Sequence, residues 1–164
     1  MAVKYTDQEI EELIRERKRL PEEWRNQFVT RIKRSDKERH LDLTGDAGNK
    51  FRIIIRQSQF NESSFSVVLG VHVPLLNQLF RLRRYNGNNH THTNEIEKVT
   101  VQGFHIHFAT ARYQRRGLRE DDYAEATNRY KDVDGAFECL IADANLADLF
   151  ELRNELRNFF RRRE

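Results

Sequence analysis

The chain has 164 residues, of which 38% are hydrophobic and 34% are charged. This length suits a single domain with a real core, and the grouped apolar residues, including eleven phenylalanines, argue against disorder. The net charge of +3 and pI of about 9.1 are only weak evidence for a nucleic-acid partner. The single cysteine, Cys139, excludes an internal disulfide and is typical of a reducing compartment. Without a secretory segment or a membrane-spanning apolar run, we expect a cytoplasmic protein.

A leading helix is predicted within residues 1–20. Thr6 and Glu9 have the spacing of a capping box, in which each side chain bonds the other's backbone amide. An apolar stripe follows at Ile10, Leu13 and Ile14. Pro21 ends the pattern, since proline removes a backbone donor and cannot continue a helix.

Residues 26–111 form a β-rich portion. Strand patterns occur at 28–32, 41–43, 51–56, 65–73, 79–85 and 104–108. Turn-forming residues at 46–49 and 61–64 join these runs by short links, which favours an antiparallel meander over βαβ units. The stretch 90–103 is expected to be a longer irregular connection.

Residues 120–164 are predicted to be helical. One amphipathic helix is expected over 132–141, and a second begins near Asn145. The second carries an apolar stripe at Leu149, Leu152, Leu156 and Phe159, widened by Phe150 and Phe160. That stripe would pack on the sheet or pair with a protein partner or a second copy of the chain. The fold class is therefore α+β: one domain, 1–164, with an antiparallel meander of five to six strands, an N-terminal helix and two C-terminal helices.

Two His-x-His pairs, His90/His92 and His105/His107, are the strongest sign of chemistry. Residues 104–108 alternate apolar and imidazole side chains, as in a half-buried strand. His105 and His107 should therefore share one strand face, about 7 Å apart, and open toward solvent or a cleft. The flanking Phe104, Ile106 and Phe108 should point into the core. Imidazole titrates near neutral pH and also binds metals readily.

The first functional hypothesis is a nucleic-acid- or nucleotide-directed protein, in its sharpest form a metal-independent ribonuclease of toxin or defence type. Imidazoles would divide the general-acid and general-base roles, and arginines would stabilise charge on the phosphorane. The candidate catalytic residues are His105, His107, His92 and Tyr85. The candidate phosphate-binding residues are Arg81, Arg83, Arg52, Arg56 and Arg112. Strand alternation predicts that Arg81, Arg83 and Tyr85 share a face opposite to Phe80 and Leu82, and this mechanism requires no cofactor.

Three alternatives stay open. The same basic face could belong to a non-catalytic module that binds nucleic acid or a protein. The imidazoles could instead hold a metal ion in a hydrolase, with His90, His92, His105 and His107 as candidate ligands. Finally, the histidines and arginines could be purely structural. The motifs of Walker A and dinucleotide-binding sites do not occur.

Several segments resemble a family of small bacterial proteins with no assigned activity. The segments that carry the resemblance are 80–87 (FRLRRYNG), His90-x-His92-x-Asn94, 104–107 (FHIH) and 123–125 (YAE), within residues 50–146. The resemblance implies that the histidine segments belong to one motif set and that the fold is prokaryotic in character. It implies no catalytic role for any residue.

Overall fold

The computed structural model describes residues 3–146, 153–154 and 157. Eight strands form one antiparallel sheet: β1 (Lys18–Arg19), β2 (Arg31–Lys33), β3 (Asp36–Gly45), β4 (Lys50–Ser58), β5 (Phe65–His72), β6 (Leu79–Asn86), β9 (His105–Phe108) and β10 (Tyr123–Ala126). A separate hairpin consists of β7 (His92–Asn94) and β8 (Val99–Val101). The helices within the described residues are α1 (Asp7–Arg15), α2 (Trp24–Gln27), α3 (Ala111–Arg115) and α4 (Val133–Asp143).

The predicted α+β class and antiparallel meander are confirmed. The strand order is β1-β3-β4-β5-β6-β9-β10, and β2 also pairs with β3. The sheet has more strands than the predicted five or six, because β1 and β10 are too short to leave a clear pattern. The strand predicted at 28–32 overlaps only the first two residues of β2. β10 lies in the portion predicted to be helical, since alanine and glutamate favour helices and only its pairing with β9 makes it a strand.

The apolar core lies on one face of the sheet, which we call the helix face. Register places Phe51, Ile53 and Ile55 of β4 opposite Val71, Leu69 and Val67 of β5, and all six side chains are buried there. The apolar stripe of α1 and the buried side of α4 complete the same core. As the capping box predicts, the Thr6 hydroxyl accepts the Glu9 amide at 3.1 Å.

The terminal apolar stripe at 149–160 lies outside the described residues, so its role in packing or partner binding stays a prediction. Among the described residues there, Arg153 and Arg157 contact Glu138 of α4. No helix in the described part of the chain is long and apolar enough to cross a membrane.

A β-bulge in β6 changes which residues share a face. The register with β5 shifts between Leu69, which pairs with Arg83, and Gly70, which pairs with Arg81, so Leu82 is the extra residue. Because one extra residue reverses the alternation, Arg83 and Tyr85 lie on the helix face, while Arg81 lies on the other face. The prediction that these three side chains share a face is therefore wrong.

The free edge of β10 is closed by one asparagine from the β7–β8 hairpin. The Asn94 side-chain amide donates to the Ala124 carbonyl at 2.9 Å, and its carbonyl accepts the Ala124 amide at 2.8 Å. Asn94 thus occupies the hydrogen-bonding positions that another strand would use. The contact also fixes the hairpin over β9 and β10, in the region predicted to be irregular.

A buried ammonium group joins two helix ends to the sheet. Lys18 is 0% exposed, and its Nζ lies 2.8–3.0 Å from the carbonyl oxygens of Leu13, Ile14, Glu16 and Ala144. Carbonyls at the end of a helix lack partners within the helix, and the negative end of the helix dipole favours a cation. Burial lowers the pKa of Lys18 to about 8, which leaves it mostly protonated at pH 7.

Replacing Lys18 should strongly destabilise the fold. Lys18→Met leaves several buried carbonyls without a donor, each costing about 1–3 kcal/mol, so we expect a loss of about 3 kcal/mol or more in urea unfolding. Lys98→Met is the matched control, because the Lys98 side chain is 75% exposed and should change stability by less than about 0.5 kcal/mol. Equal stability of both variants would show that the buried ammonium contributes nothing to the free energy of unfolding.

Candidate metal centre

Both His-x-His pairs meet at one place on the sheet. His105 and His107 of β9 lie opposite Asn86 and Arg84 of β6, on the face away from the helices, which we call the open face. The β7–β8 hairpin brings His92 over them, with its ring centroid 4.6 Å from that of His107. The His105 and His107 rings are 5.1 Å apart. His90 is exposed, with its ring 5.3 Å from that of His105.

His105 and His107 share one strand face, but they do not open toward solvent. Their exposed fractions are only 0% and 1%. The expected exposure is wrong because the β7–β8 hairpin and the 119–122 turn cover this part of the sheet. Ile106 is buried on the helix face as expected, while Phe104 and Phe108 are only partly buried against the core.

Backbone carbonyls fix the tautomers of three imidazoles. Nδ1 of His107 lies 2.8 Å from the Asp121 carbonyl oxygen, and Nε2 of His92 lies 2.7 Å from that of Asp122. Nδ1 of His105 lies 2.8 Å from the Gly103 carbonyl oxygen. Because a carbonyl only accepts, each of these ring nitrogens must donate, and the other nitrogen of a neutral ring keeps its lone pair. Ligand histidines in metal sites are commonly held this way.

The lone pairs left at the centre lack hydrogen-bond donors. Nε2 of His107 and Oδ1 of Asn86 are buried, and neither has a hydrogen-bond partner among the described residues. Nε2 of His105 has only the Asn86 amide at 3.5 Å. A buried acceptor without a donor costs about 1–3 kcal/mol. Two such acceptors, beside a third with only a long contact, indicate a site for a cation.

One group of side chains has metal-binding geometry. His92, His107 and Asp122 each offer a ligand atom, and these atoms lie within 4.8 Å of one another. Zinc with bonds of about 2.0–2.2 Å keeps tetrahedral ligands about 3.4 Å apart, so a small inward movement would complete the site. His107 is buried, whereas His92 and Asp122 are partly exposed. The three ligands therefore leave one side accessible to water or a substrate.

The electrostatics of the cluster favour neutral imidazoles. Burial lowers the pKa of His107 to about 2, and the nearby Arg84 and His105 act in the same direction. Burial also lowers the pKa of His105. At pH 7 both rings are neutral, which suits a metal ligand and does not suit a general acid.

A buried ion pair positions the turn that holds the imidazoles. The Asp121 carboxylate is 0% exposed and lies 3.0 Å from Arg84 Nε and 3.1 Å from Arg119 Nε. Asp121 and the adjacent Asp122 supply the two carbonyls that orient His107 and His92. The Arg84–Asp121 pair thus sets the positions of both rings and of the Asp122 carboxylate.

The other predicted site residues are not brought to this centre. Tyr85 lies on the helix face, where it donates to Asp143 at 2.6 Å and where burial raises its pKa. Arg83 contacts the same carboxylate at 3.5 Å, and Arg112 pairs with Glu97 at 2.9 Å. The remaining arginines lie on the open face: Arg52, Arg56 and Arg81.

A cavity of about 690 Å³ also lies beside β9, on its helix side. Its lining includes Ile106, Phe108 and residues 125–129, and none of the histidines. We place the functional site at the histidines, because converging electron-pair donors indicate chemistry and volume alone does not.

Asp121 and Asp122 were not identified from the sequence. They follow the FHIH strand by fourteen or more residues and form no spacing motif with it. They reach the histidines only because β10, which begins at Tyr123, pairs with β9. The only sequence feature that could have pointed to these two site residues is their position as an Asp-Asp pair directly before a strand.

No family model matches the sequence, and neither a curated protein nor a solved structure is similar enough to match it. The resemblance to a bacterial family therefore stays a prediction, and the site is argued from its chemistry alone.

If the Arg84–Asp121 pair positions the ligands, Asp121→Asn should weaken zinc binding about 10- to 100-fold, as other substitutions behind metal ligands do. Zinc affinity would be measured by competition with a chromophoric chelator, with circular dichroism to confirm folding. Glu95→Gln is the control, since that hairpin carboxylate is 58% exposed and only pairs with Lys98. Unchanged zinc affinity in folded Asp121→Asn would show that the Arg84–Asp121 pair does not position the metal ligands.

The neutral His107 also predicts acid sensitivity. In the unfolded chain its pKa is about 6.5, so below that pH the unfolded state binds one more proton than the folded state. Stability should therefore fall as pH decreases, by about 1.4 kcal/mol per unit from this residue. His107→Gln does not titrate and should show a correspondingly shallower loss in urea unfolding between about pH 6.5 and 5, measured with chelator present. Parallel pH profiles would contradict a buried neutral His107.

Proposed function

We propose that this protein is a metal-dependent hydrolase whose ion is bound by His92, His107 and Asp122. The observation that carries the proposal is the convergence of three electron-pair donors, two of them imidazoles already oriented by backbone carbonyls. Zinc is the best fit for such nitrogen and oxygen ligands. Three protein ligands leave a coordination position for water, whose pKa zinc lowers to near neutrality.

The metal-independent ribonuclease has less support. That mechanism needs a protonated imidazole near neutral pH, and burial keeps His107 neutral. Its other proposed catalytic group, Tyr85, donates to Asp143 on the opposite face of the sheet. The metal hypothesis uses three residues that lie together, and it replaces the expectation that no cofactor is needed.

Two other metal functions would use the same cluster. A closed structural site would need a fourth protein ligand, and the group within ligand distance contains three residues, two of them partly exposed. Two histidines and one carboxylate also bind iron in oxygenases. Metal analysis of the purified protein separates iron from zinc.

The ligand assignment predicts the effect of single substitutions. His92→Ala and His107→Ala should each weaken zinc binding more than about 100-fold. This loss exceeds the effect of substituting residues that only hydrogen-bond to metal ligands. His72→Ala is the matched control, because His72 lies at the far end of β5 and should leave zinc affinity unchanged. Equal zinc affinity in all three variants would place the metal elsewhere.

Hydrolysis is tested with bis(p-nitrophenyl) phosphate, a small diester that needs only the metal centre. We expect release of nitrophenol by the zinc-loaded protein, loss of activity with a chelator and recovery with added zinc. Activity that survives the chelator, or bound iron without hydrolysis, would overturn the proposal.

A further inference from the structure

The open face carries a row of arginines that leads to the histidine cluster. This basic track consists of Arg52 and Arg56 on β4 and of Arg81 and Arg84 on β6. Arg84 lies directly opposite His107 in the β6–β9 register. Because three strand spacings of about 4.8 Å separate β4 from β9, the track spans about 14 Å across the sheet and ends beside the centre.

Two carboxylates of this face are buried beneath its cations, whereas Asp42 is half-exposed and pairs with Arg52 at 2.8 Å. Glu38 has a side chain only 3% exposed, and it pairs with both Lys33 and Arg56, whose side chains are 63% and 50% exposed. Asp121, which is 0% exposed, is likewise shared by Arg84 and Arg119. Each of these two buried acids is shared by two cations, so both clusters carry a positive excess.

Arg81 adds a cation beside the Glu120 carboxylate, which accepts its backbone amide at 3.1 Å. Among the described residues, no carboxylate lies within ion-pair distance of its guanidinium, while Arg84 is near enough to interact with it. Neighbouring like charges repel unless an anion lies between or beside them. Guanidinium groups bind phosphate oxygens in bidentate fashion, which makes a phosphate the natural anion here.

From this arrangement we infer that the substrate is a single-stranded nucleic acid whose phosphates lie along the basic track. The inference rests on the proposed metal-dependent hydrolase. His107 is buried and the other two ligands are only partly exposed, so the scissile phosphate must enter a recess. A flexible single strand can bend into a recess, whereas a duplex is stiff over this length.

The reaction consumes one water molecule. The water oxygen forms a new bond to phosphorus, one phosphorus–oxygen ester bond breaks and the leaving oxygen takes up a proton. The products are a phosphomonoester and an alcohol. This route needs no 2′-hydroxyl, so RNA and DNA strands should both be cleaved.

The test compares a long and a short substrate on the zinc-loaded full chain. The long substrates are a labelled RNA of about 12 nucleotides, the matching DNA strand and the duplex; the short one is bis(p-nitrophenyl) phosphate. The variants are Arg81→Gln and the double variant Arg52→Gln/Arg81→Gln. The matched control is Arg15→Gln on α1, because Arg15 is 77% exposed and belongs to a helix that packs on the opposite face.

We expect the double variant to lose about tenfold or more in kcat/KM for the single strands and to hydrolyse the small diester at the unchanged rate. Binding measured by fluorescence anisotropy should show a salt slope reduced by about one for each arginine removed. The Arg15 variant should match the original chain in every measurement.

Two failures are distinguishable. If the small diester is hydrolysed but the single strands are neither bound nor cleaved, or are cleaved equally by all variants, the inference fails and the metal centre stands. A clear preference for the duplex would also overturn it. If no diester of either size is hydrolysed, the proposed function and the inference fail together.

Discussion

The placement of β9 between β6 and β10 is the constraint on which the candidate centre depends. On one side, β6 puts Arg84 opposite His107. On the other, the chain enters β10 directly after Asp122, which brings its carboxylate to the same end of β9. The backbone ladder thus brings Arg84 and Asp122, which are 23 and 15 positions from His107 in the sequence, to the same end of β9.

Local pattern was enough to predict the meander and the shared face of His105 and His107, because strand alternation follows from backbone geometry. It was not enough for features set by tertiary contacts. The bulge at Leu82 reversed the faces of Arg83 and Tyr85, and no local signal in an alternating run reveals one extra residue. The histidines are buried by the β7–β8 hairpin, and β10 brings Asp122 to them. All three of these strands are short and have weak sequence patterns.

Three buried charges in the described part of the chain each have several partners. Lys18 contacts four carbonyl oxygens, Glu38 pairs with Lys33 and Arg56 and contacts His40, and Asp121 has two arginines. Such multiple pairing offsets the cost of removing a charge from water. Nε2 of His107 is buried without a hydrogen-bond partner among the described residues, as are single side-chain atoms of Glu16, Arg83 and Asp121. What distinguishes this lone pair is that His92 and Asp122 offer ligand atoms within 4.8 Å of it, so a metal ion would satisfy it.

A metal ion at this position would also cross-link three segments of the chain. His107 belongs to the sheet, His92 to the covering hairpin and Asp122 to the turn before β10, so coordination would join three separate segments. At present the hairpin is tied to the edge strand mainly through Asn94 and the His92 contact with Asp122. Because the unfolded chain lacks this arrangement, binding stabilises the folded state, by about 4 kcal/mol when the free metal is a thousandfold above its Kd. In the proposed hydrolase, the ion that activates water would therefore also hold the hairpin over the sheet.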